Sequence, residues 1–379
     1  MPALDALRAI AVLLVICSHY TTEFWEKNLG GVPPSRYASL PFFNWGWSGV
    51  DLFFILSGYL IGRQLWKERL STGNVRFGAF VLRRGFRIWP LYFAMLLYFA
   101  IAGPIAPNWK DAAFLSNYLS GGMSRGWSLS TEEQFYILVP LLLIATRMIR
   151  RPLHYLWLLA GALVMVWLAR WNALHWYVAH GYEGRRLSDA MYPQFHLHSE
   201  ALIVGLVIAL ASVWRPARFE RDSRAGFSTA GFAIFIGGSA VGLLLRTLDR
   251  NIFAFTGLAF IYGSLALWLL WDRSWVSRLA SLRAFYPISR LSYGMYLNHF
   301  YIFPFVTIWL ITTLRSHGMS EPVWFSAGLL SGVAISAGVA MITFLLIERP
   351  FLALRDRLLP ARHSSRDRAA ATPDVAHSA

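Results

Sequence analysis

Apolar runs long enough to cross a lipid hydrocarbon core recur along the whole chain, and this constrains the fold more than any other feature. A helix of roughly 20 apolar residues spans such a core. About ten runs approach that length, at 4–22, 46–64, 87–104, 132–147, 153–170, 195–213, 227–246, 253–271, 288–313 and 323–347. In hydrocarbon every backbone N–H and C=O needs an internal partner, so spanning segments of this length are helical. The expected fold class is all-α: a polytopic transmembrane helical bundle of about ten spans, with membrane lipids as its first partner. Composition agrees, since only 15% of the residues are charged where a soluble domain carries about 25%. The first run has no small-residue cleavage site and is followed by Phe24, Trp25, Glu26 and Lys27. It reads as a permanent span rather than a cleaved signal.

The Lys and Arg residues set the expected orientation. With the N-terminus inside, the even-numbered connections and the tail hold about 25 of the 35 basic residues, the bias found on cytoplasmic sides. Arg63, Lys67, Arg69, Arg76, Arg83, Arg84 and Arg87 all fall between the second and third runs. Both termini are therefore placed in the cytoplasm. The expected layout is one membrane domain over 1–355, followed by a disordered, polar tail over 356–379. No repeat of fixed period is visible. The net charge of +15 is explained by this segregation, without a nucleic-acid partner. Cys17 is the single cysteine, which excludes an internal disulfide and a thiolate metal site. His196 and His198 would diverge on a helix, so no metal site is assigned.

Ionisable residues inside spans cost about 2.5–3.5 kcal/mol each, so they require partners or a function. Arg8 and His19 lie on the first run. Their spacing of eleven residues is close to three whole helical turns, which puts both on one face roughly 16 Å apart. Snorkelling of each to its nearer interface is the plain alternative. Asp51 opens the second run at a depth similar to His19, where a carboxylate accepting from an imidazole would fix its tautomer. Ser57 and Gly58 suit close helix approach. Arg83, Arg84 and Arg87 can share a helix face, and guanidinium forks match phosphate. Trp127, Glu132 and Glu133 lead into the fourth run, where Ser130 or Thr131 could cap the helix. Asn298 and His299 fall inside the ninth run, which favours a polar interior there. Glu348-Arg349-Pro350 closes the tenth run, where local ion pairing is expected.

Taken together and in this order, these elements resemble the bacterial acyltransferase-3 family of membrane O-acyltransferases. The strings Asp51 to Gly58 (DLFFILSG) and Trp127 to Phe135 (WSLSTEEQF) are the most specific, and the resemblance runs from about residue 4 to 355. It implies transfer of an acyl group, commonly acetyl, from cytoplasmic acyl-CoA to a hydroxyl of a carbohydrate or lipid-linked glycan at the outer face of a bacterial inner membrane. Acyl-CoA is then a co-substrate, and no tightly bound cofactor is implied. By position, Arg83, Arg84 and Arg87 would hold the CoA phosphates, His19 would act as general base, and Arg8 would help position the donor. Asp51 and Glu132 would complete the catalytic set, with Trp127, Glu133, Asn298 and His299 on the substrate. Some family members carry an appended hydrolase-like domain, and all chemistry is expected here within the membrane body. Direct transfer and an acyl-enzyme on His19 both remain open, and the acceptor and oligomeric state are not specified. A secondary transporter, or a flippase-like protein of envelope assembly, is the competing reading.

Overall fold

The computed structural model of the chain describes residues 2–25, 35–103, 106–119, 122, 126–216, 229–248, 250–271 and 275–359. Among them, every regular element is helical. Ten helices of fifteen residues or more follow the ten apolar runs in order: α1 (Pro2–Trp25), α2 (Gly49–Thr72), α3 (Phe77–Ala102), α4 (Trp127–Ala145), α5 (Pro152–Ala179), α6 (Glu200–Trp214), α7 (Thr229–Leu248), α8 (Arg250–Trp271), α9 (Phe285–Ser316) and α10 (Glu321–Thr343). By length and apolarity, five segments qualify as membrane spans, and a bent pair in α9 would make a sixth. α2 carries Asp51, Arg63, Lys67, Glu68 and Arg69, a polar load that a lipid-facing helix does not bear.

Burial sorts the helices into a core and a rim. In α1, 67% of the apolar stretch is buried, against 11% in α5 and in α7. α1 packs against α9 and α2, and α2 against α6. Where α2 crosses α6, a Cβ at Gly58 would lie 2.3 Å from the Leu202 carbonyl oxygen, and one at Gly205 would lie 2.5 Å from that of Ile55. Only glycine permits so close a backbone contact. The rim exposes large apolar side chains such as Leu97, Ile101, Trp157, Met165, Leu244 and Leu330. This distribution fits a lipid solvent better than water.

Several sequence expectations change at the helix ends. α3 begins ten residues before its apolar run, so Arg83, Arg84 and Arg87 sit within the helix rather than in a loop. Hydropathy sees only the apolar part of a helix, whereas hydrogen bonding continues through charged turns. Likewise α2 runs on to Thr72 and stops at Gly73, whose φ of 76° provides the left-handed cap. Arg69 then donates to the carbonyls of Gly73, Arg147 and Ile149, tying the end of α2 to the α4–α5 turn.

Ser130 and Thr131 are not caps. The N-cap of α4 is Gly126, and Ser130 lies a turn inside, donating back to the Gly126 carbonyl. α6 begins at Glu200, after a 3₁₀ turn over Phe195–Leu197, so residues 195–199 precede the helix. Nor does α10 end at Glu348: a π-turn over Phe344–Glu348 leads into a further helix, Arg349–Leu358. Proline is compatible with a helix's first turn, which explains why Pro350 does not stop it. The proposed tail lies almost wholly outside the described residues.

The segments Phe285–Tyr301 and Val306–Ser316 of α9 meet at 62°. The sequence at this bend contains Pro304, which has no amide hydrogen for the carbonyl four residues earlier. His299 therefore lies just before the bend.

Candidate active site

Two cavities lie one beyond the other along α1. The first, of about 400 Å³, is lined by Arg8, Arg84, Arg87 and Glu132 among polar residues, with Ser57, Tyr136 and Tyr293 beside them. The second, of about 600 Å³, is walled by Trp47, Trp127, Tyr192 and Phe255 and reached by His19, Arg185, Asp189, Arg246 and Asn251. Val50 and Tyr296 border both. Arg8 and His19 thus face different cavities from a single helix, roughly 16 Å apart along its axis. The helical phase that puts them on one face also aims both inward.

Three guanidinium groups against one carboxylate make the first cavity an anion site, and planar forks suit the oxygens of a phosphate. α3 supplies Arg84 and Arg87 to this wall. Arg84 donates to Gln64 Oε1 at 2.9 Å, with its guanidinium 6.0 Å from the Tyr136 ring centroid. Arg83, one residue earlier, turns about 100° away on an α-helix. It reaches the Leu359 carbonyl at 3.4 Å and does not line the cavity. Glu132 is the carboxylate of this arginine cavity, and Ser57 donates to its Oε1. Ser57 therefore serves a polar contact rather than close helix approach. Glu133 faces the other way, buried, and accepts from Trp89 Nε1 at 3.0 Å.

The imidazole chemistry lies at the second cavity. His19 Nδ1 and His299 Nε2 are 2.7 Å apart, and their rings stack at 5.0 Å. His299 Nδ1 is 3.0 Å from the Met295 carbonyl oxygen. A carbonyl only accepts, so Nδ1 of His299 carries the hydrogen, and in a neutral ring its Nε2 must then be the acceptor. His19 donates from Nδ1, which leaves the lone pair of its neutral ring on Nε2. One backbone carbonyl thereby sets the tautomer of two histidines in series.

Asp51 does not pair with His19, as the sequence suggested. It is fully buried, and its Oδ1 lies 2.9 Å from Nε2 of His198, whose Nδ1 is 2.9 Å from the Tyr192 carbonyl oxygen. That carbonyl takes the Nδ1 hydrogen, and the Asp51 carboxyl faces Nε2 of the same ring. His198 stacks on Phe255 at 3.9 Å and on Trp127 at 5.6 Å. The network thus braces two aromatic walls of the second cavity. Trp127 stands on that wall, whereas Asn298 does not: its side-chain amide donates to the Ser336 carbonyl at 3.1 Å, joining α9 to α10.

His196 and His198 do diverge, though from a 3₁₀ turn rather than an α-helix. His196 stacks on Tyr118 with their polar atoms 2.9 Å apart. Desolvation pushes the His196 imidazole below and the Tyr118 phenol above its ordinary range.

His198, Tyr192, Tyr296 and the buried ion pair of Arg170 with Glu200 at 2.6 Å were missed in the sequence reading. Arg170 also donates to the carbonyls of Ile252 and Leu197. It locks the turn that carries His198 to α5, α6 and α8. A single Arg within an apolar run was the available signal, since a charge there needs a partner.

Comparison with known proteins finds relatives that share a family with the chain. Two proteins named "Putative O-acetyltransferase" in Staphylococcus aureus, from strains MSSA476 and MRSA252, are each 25% identical over 338 residues, covering 81% of this chain and 51% of the relative. O-acetyltransferase OatA of S. aureus strain NCTC 8325 / PS 47 is 24% identical over 346 residues, covering 82% of this chain and 52% of the relative. The chain therefore spans about half the length of these curated relatives. No solved structure matches. The signature described as "Acyltransferase domain" matches residues 1–341, and the chain belongs to that acyltransferase-3 family.

Proposed function

We propose that the protein is a membrane O-acyltransferase that moves an acyl group, most simply acetyl, from acyl-CoA to a hydroxyl of a carbohydrate or lipid-linked glycan. The observation that carries this reading is the placement of an arginine-lined cavity and an imidazole-bearing cavity along one helix. Arg8, Arg84 and Arg87 bind the CoA phosphates. The pantetheine arm is long and thin, and runs from there towards His19. The acceptor hydroxyl occupies the second cavity among Trp47, Trp127 and Tyr192, since flat aromatic faces and short polar groups suit a sugar.

In the transfer step, Nε2 of His19 takes the proton of the acceptor hydroxyl as its oxygen attacks the thioester carbonyl carbon. The C–S bond breaks as the C–O ester bond is completed, and the His19 proton passes to the departing CoA thiolate. His299 holds His19 in the productive tautomer. Glu132 stands among the arginines, so its role is on the donor side, where it orients the guanidinium groups. Ten crossings of a bacterial inner membrane, with both termini cytoplasmic, put the arginine cavity within reach of cytoplasmic acyl-CoA.

Purified protein supplied with acetyl-CoA tests the reading. Thioester turnover in the wild type that His19→Ala abolishes, together with CoA binding that Arg84→Ala and Arg87→Ala weaken, is the expected result. A monodisperse wild type that neither turns over acetyl-CoA nor binds CoA would remove the acyltransferase reading and favour transport.

A further inference from the structure

Tyr296 is the one described residue that borders the arginine cavity, the aromatic cavity and a small pocket of about 20 Å³ beside His19 and His299. It lies on α9, three residues before His299 and thus on the same helix face. Its phenol is hydrogen-bonded to Ser128 of α4, and its ring meets Phe53 of α2 edge-on at 6.0 Å. The His299 ring is 5.9 Å away on the other side. Three helices therefore converge on one side chain at the junction of the cavities.

We infer that Tyr296, latched to Ser128, is the partition between the two cavities, and that it couples acyl transfer to the presence of an acceptor by keeping water off the thioester path. The inference rests on the acyltransferase reading proposed above. An activated thioester that spans two open cavities faces a competing reaction. Water adds to the carbonyl carbon, the C–S bond breaks, and acetate and CoA thiol leave without an ester being made. Excluding water from such a path is a recognised task of active-site walls. A tyrosine suits the task because its ring is an apolar plug and its hydroxyl is a removable fastening. A bond between two neutral hydroxyls is modest in net strength, so a passing acyl chain can displace it. Swinging the phenol off Ser128 opens the way between the cavities, and its return closes it. Tyr296 is thus a positioning residue, with His19 as the group that handles the proton.

Two readouts separate this role from a merely structural one. In a Cys17→Ala background, Leu60→Cys places one thiol on the wall of the arginine cavity. A sulfonated, membrane-impermeant maleimide added outside intact cells then reports passage from the aromatic side. Tyr296→Ala is expected to raise the labelling rate by about tenfold. Tyr296→Phe and Ser128→Ala each keep the ring and lose the latch, so both fall between. In the second readout, purified Tyr296→Ala hydrolyses acetyl-CoA without any acceptor about tenfold faster than the wild type.

Labelling and hydrolysis that match the wild type in both Tyr296→Ala and Ser128→Ala would overturn the partition. So would fast labelling of the Leu60→Cys thiol when Tyr296 is intact. Should Tyr296→Ala fail to accumulate, Ser128→Ala alone decides, because it loosens the latch and leaves the ring in place. If no variant and no wild type turns over acetyl-CoA or binds CoA, the acyltransferase reading fails, while the labelling still decides whether Tyr296 divides the cavities.

Discussion

The two cavities are near neighbours built on opposite chemical plans. The arginine cavity gathers three guanidinium groups around one carboxylate, with Ser57 and Gln64 holding Glu132 and Arg84. Its cationic charge is fixed, because guanidinium does not deprotonate in proteins. The aromatic cavity has walls of indole, phenol and benzyl rings with Arg185, Asp189 and Arg246 among its polar groups, and His19 brings an imidazole whose tautomer is set through His299 by a backbone carbonyl. One cavity is suited to holding a charged ligand without reacting, and the other to taking a proton at neutral pH. In the proposed function, binding and chemistry are separated along α1, and the two cavities meet, among the described residues, at Val50 and Tyr296.

The largest expected effect falls on the aromatic side. A positioned general base contributes about 10²–10⁴-fold, so His19→Ala should lower turnover by that factor with CoA affinity retained. Turnover and affinity falling together would erase the distinction between the cavities. His299→Ala should cost roughly 10–100-fold, as partners that orient a working histidine do. It would act through the tautomer of His19.

Next in size is Arg170→Ala, which leaves Glu200 buried and unpaired. Breaking a buried pair from one side costs about 3–5 kcal/mol, and the expected readout is a lower midpoint of thermal inactivation in detergent. The double change Arg170→Met with Glu200→Leu should recover much of that loss, because no buried charge is then left without its partner.

On the arginine side, hydrogen bonds to charged groups are worth about 1.5–3 kcal/mol. Arg84→Ala or Arg87→Ala should therefore raise the Kd for CoA roughly 10–100-fold, with turnover at saturating acetyl-CoA less affected. Calorimetric titration with CoA measures this directly. The smallest effects sharpen the boundary. Arg83→Ala should change CoA affinity by less than about threefold, about 0.6 kcal/mol, since its guanidinium lies outside the cavity. Cys17→Ala should leave activity near the wild-type level, because Cys17 is buried in the packing of α1 and lines neither cavity.

Much of the site was legible as a set of residues, and less of it as a set of pairs. Arg8, His19, Arg84, Arg87 and Trp127 all face a cavity; helical spacing had already singled out the first four, and the family resemblance Trp127. Asp51 was singled out as well but was assigned the wrong imidazole. Its partner His198 is 147 positions away, and no local pattern encodes such a contact. Sequence adjacency groups Glu132 with Trp127 at the start of the fourth run. The step of five residues between them is about 1.4 turns of α4, enough to carry Glu132 to the arginine cavity. His198 itself was passed over because an α-helix was assumed where the chain makes a 3₁₀ turn.

The sequence by itself determined the helical class, the order of the ten long helices and the family. Those follow from run length, apolarity and short contiguous strings, which are local properties. Only the tertiary structure decided which of two adjacent arginines meets the cavity, which histidine serves Asp51 and which serves His19. It also decided that one tyrosine stands between the two cavities. Residues next to each other on a helix point about 100° apart, so the choice of inward face belongs to the neighbouring helices. That choice is made by packing between segments hundreds of residues apart, such as α1 against α9, and no window of sequence contains it.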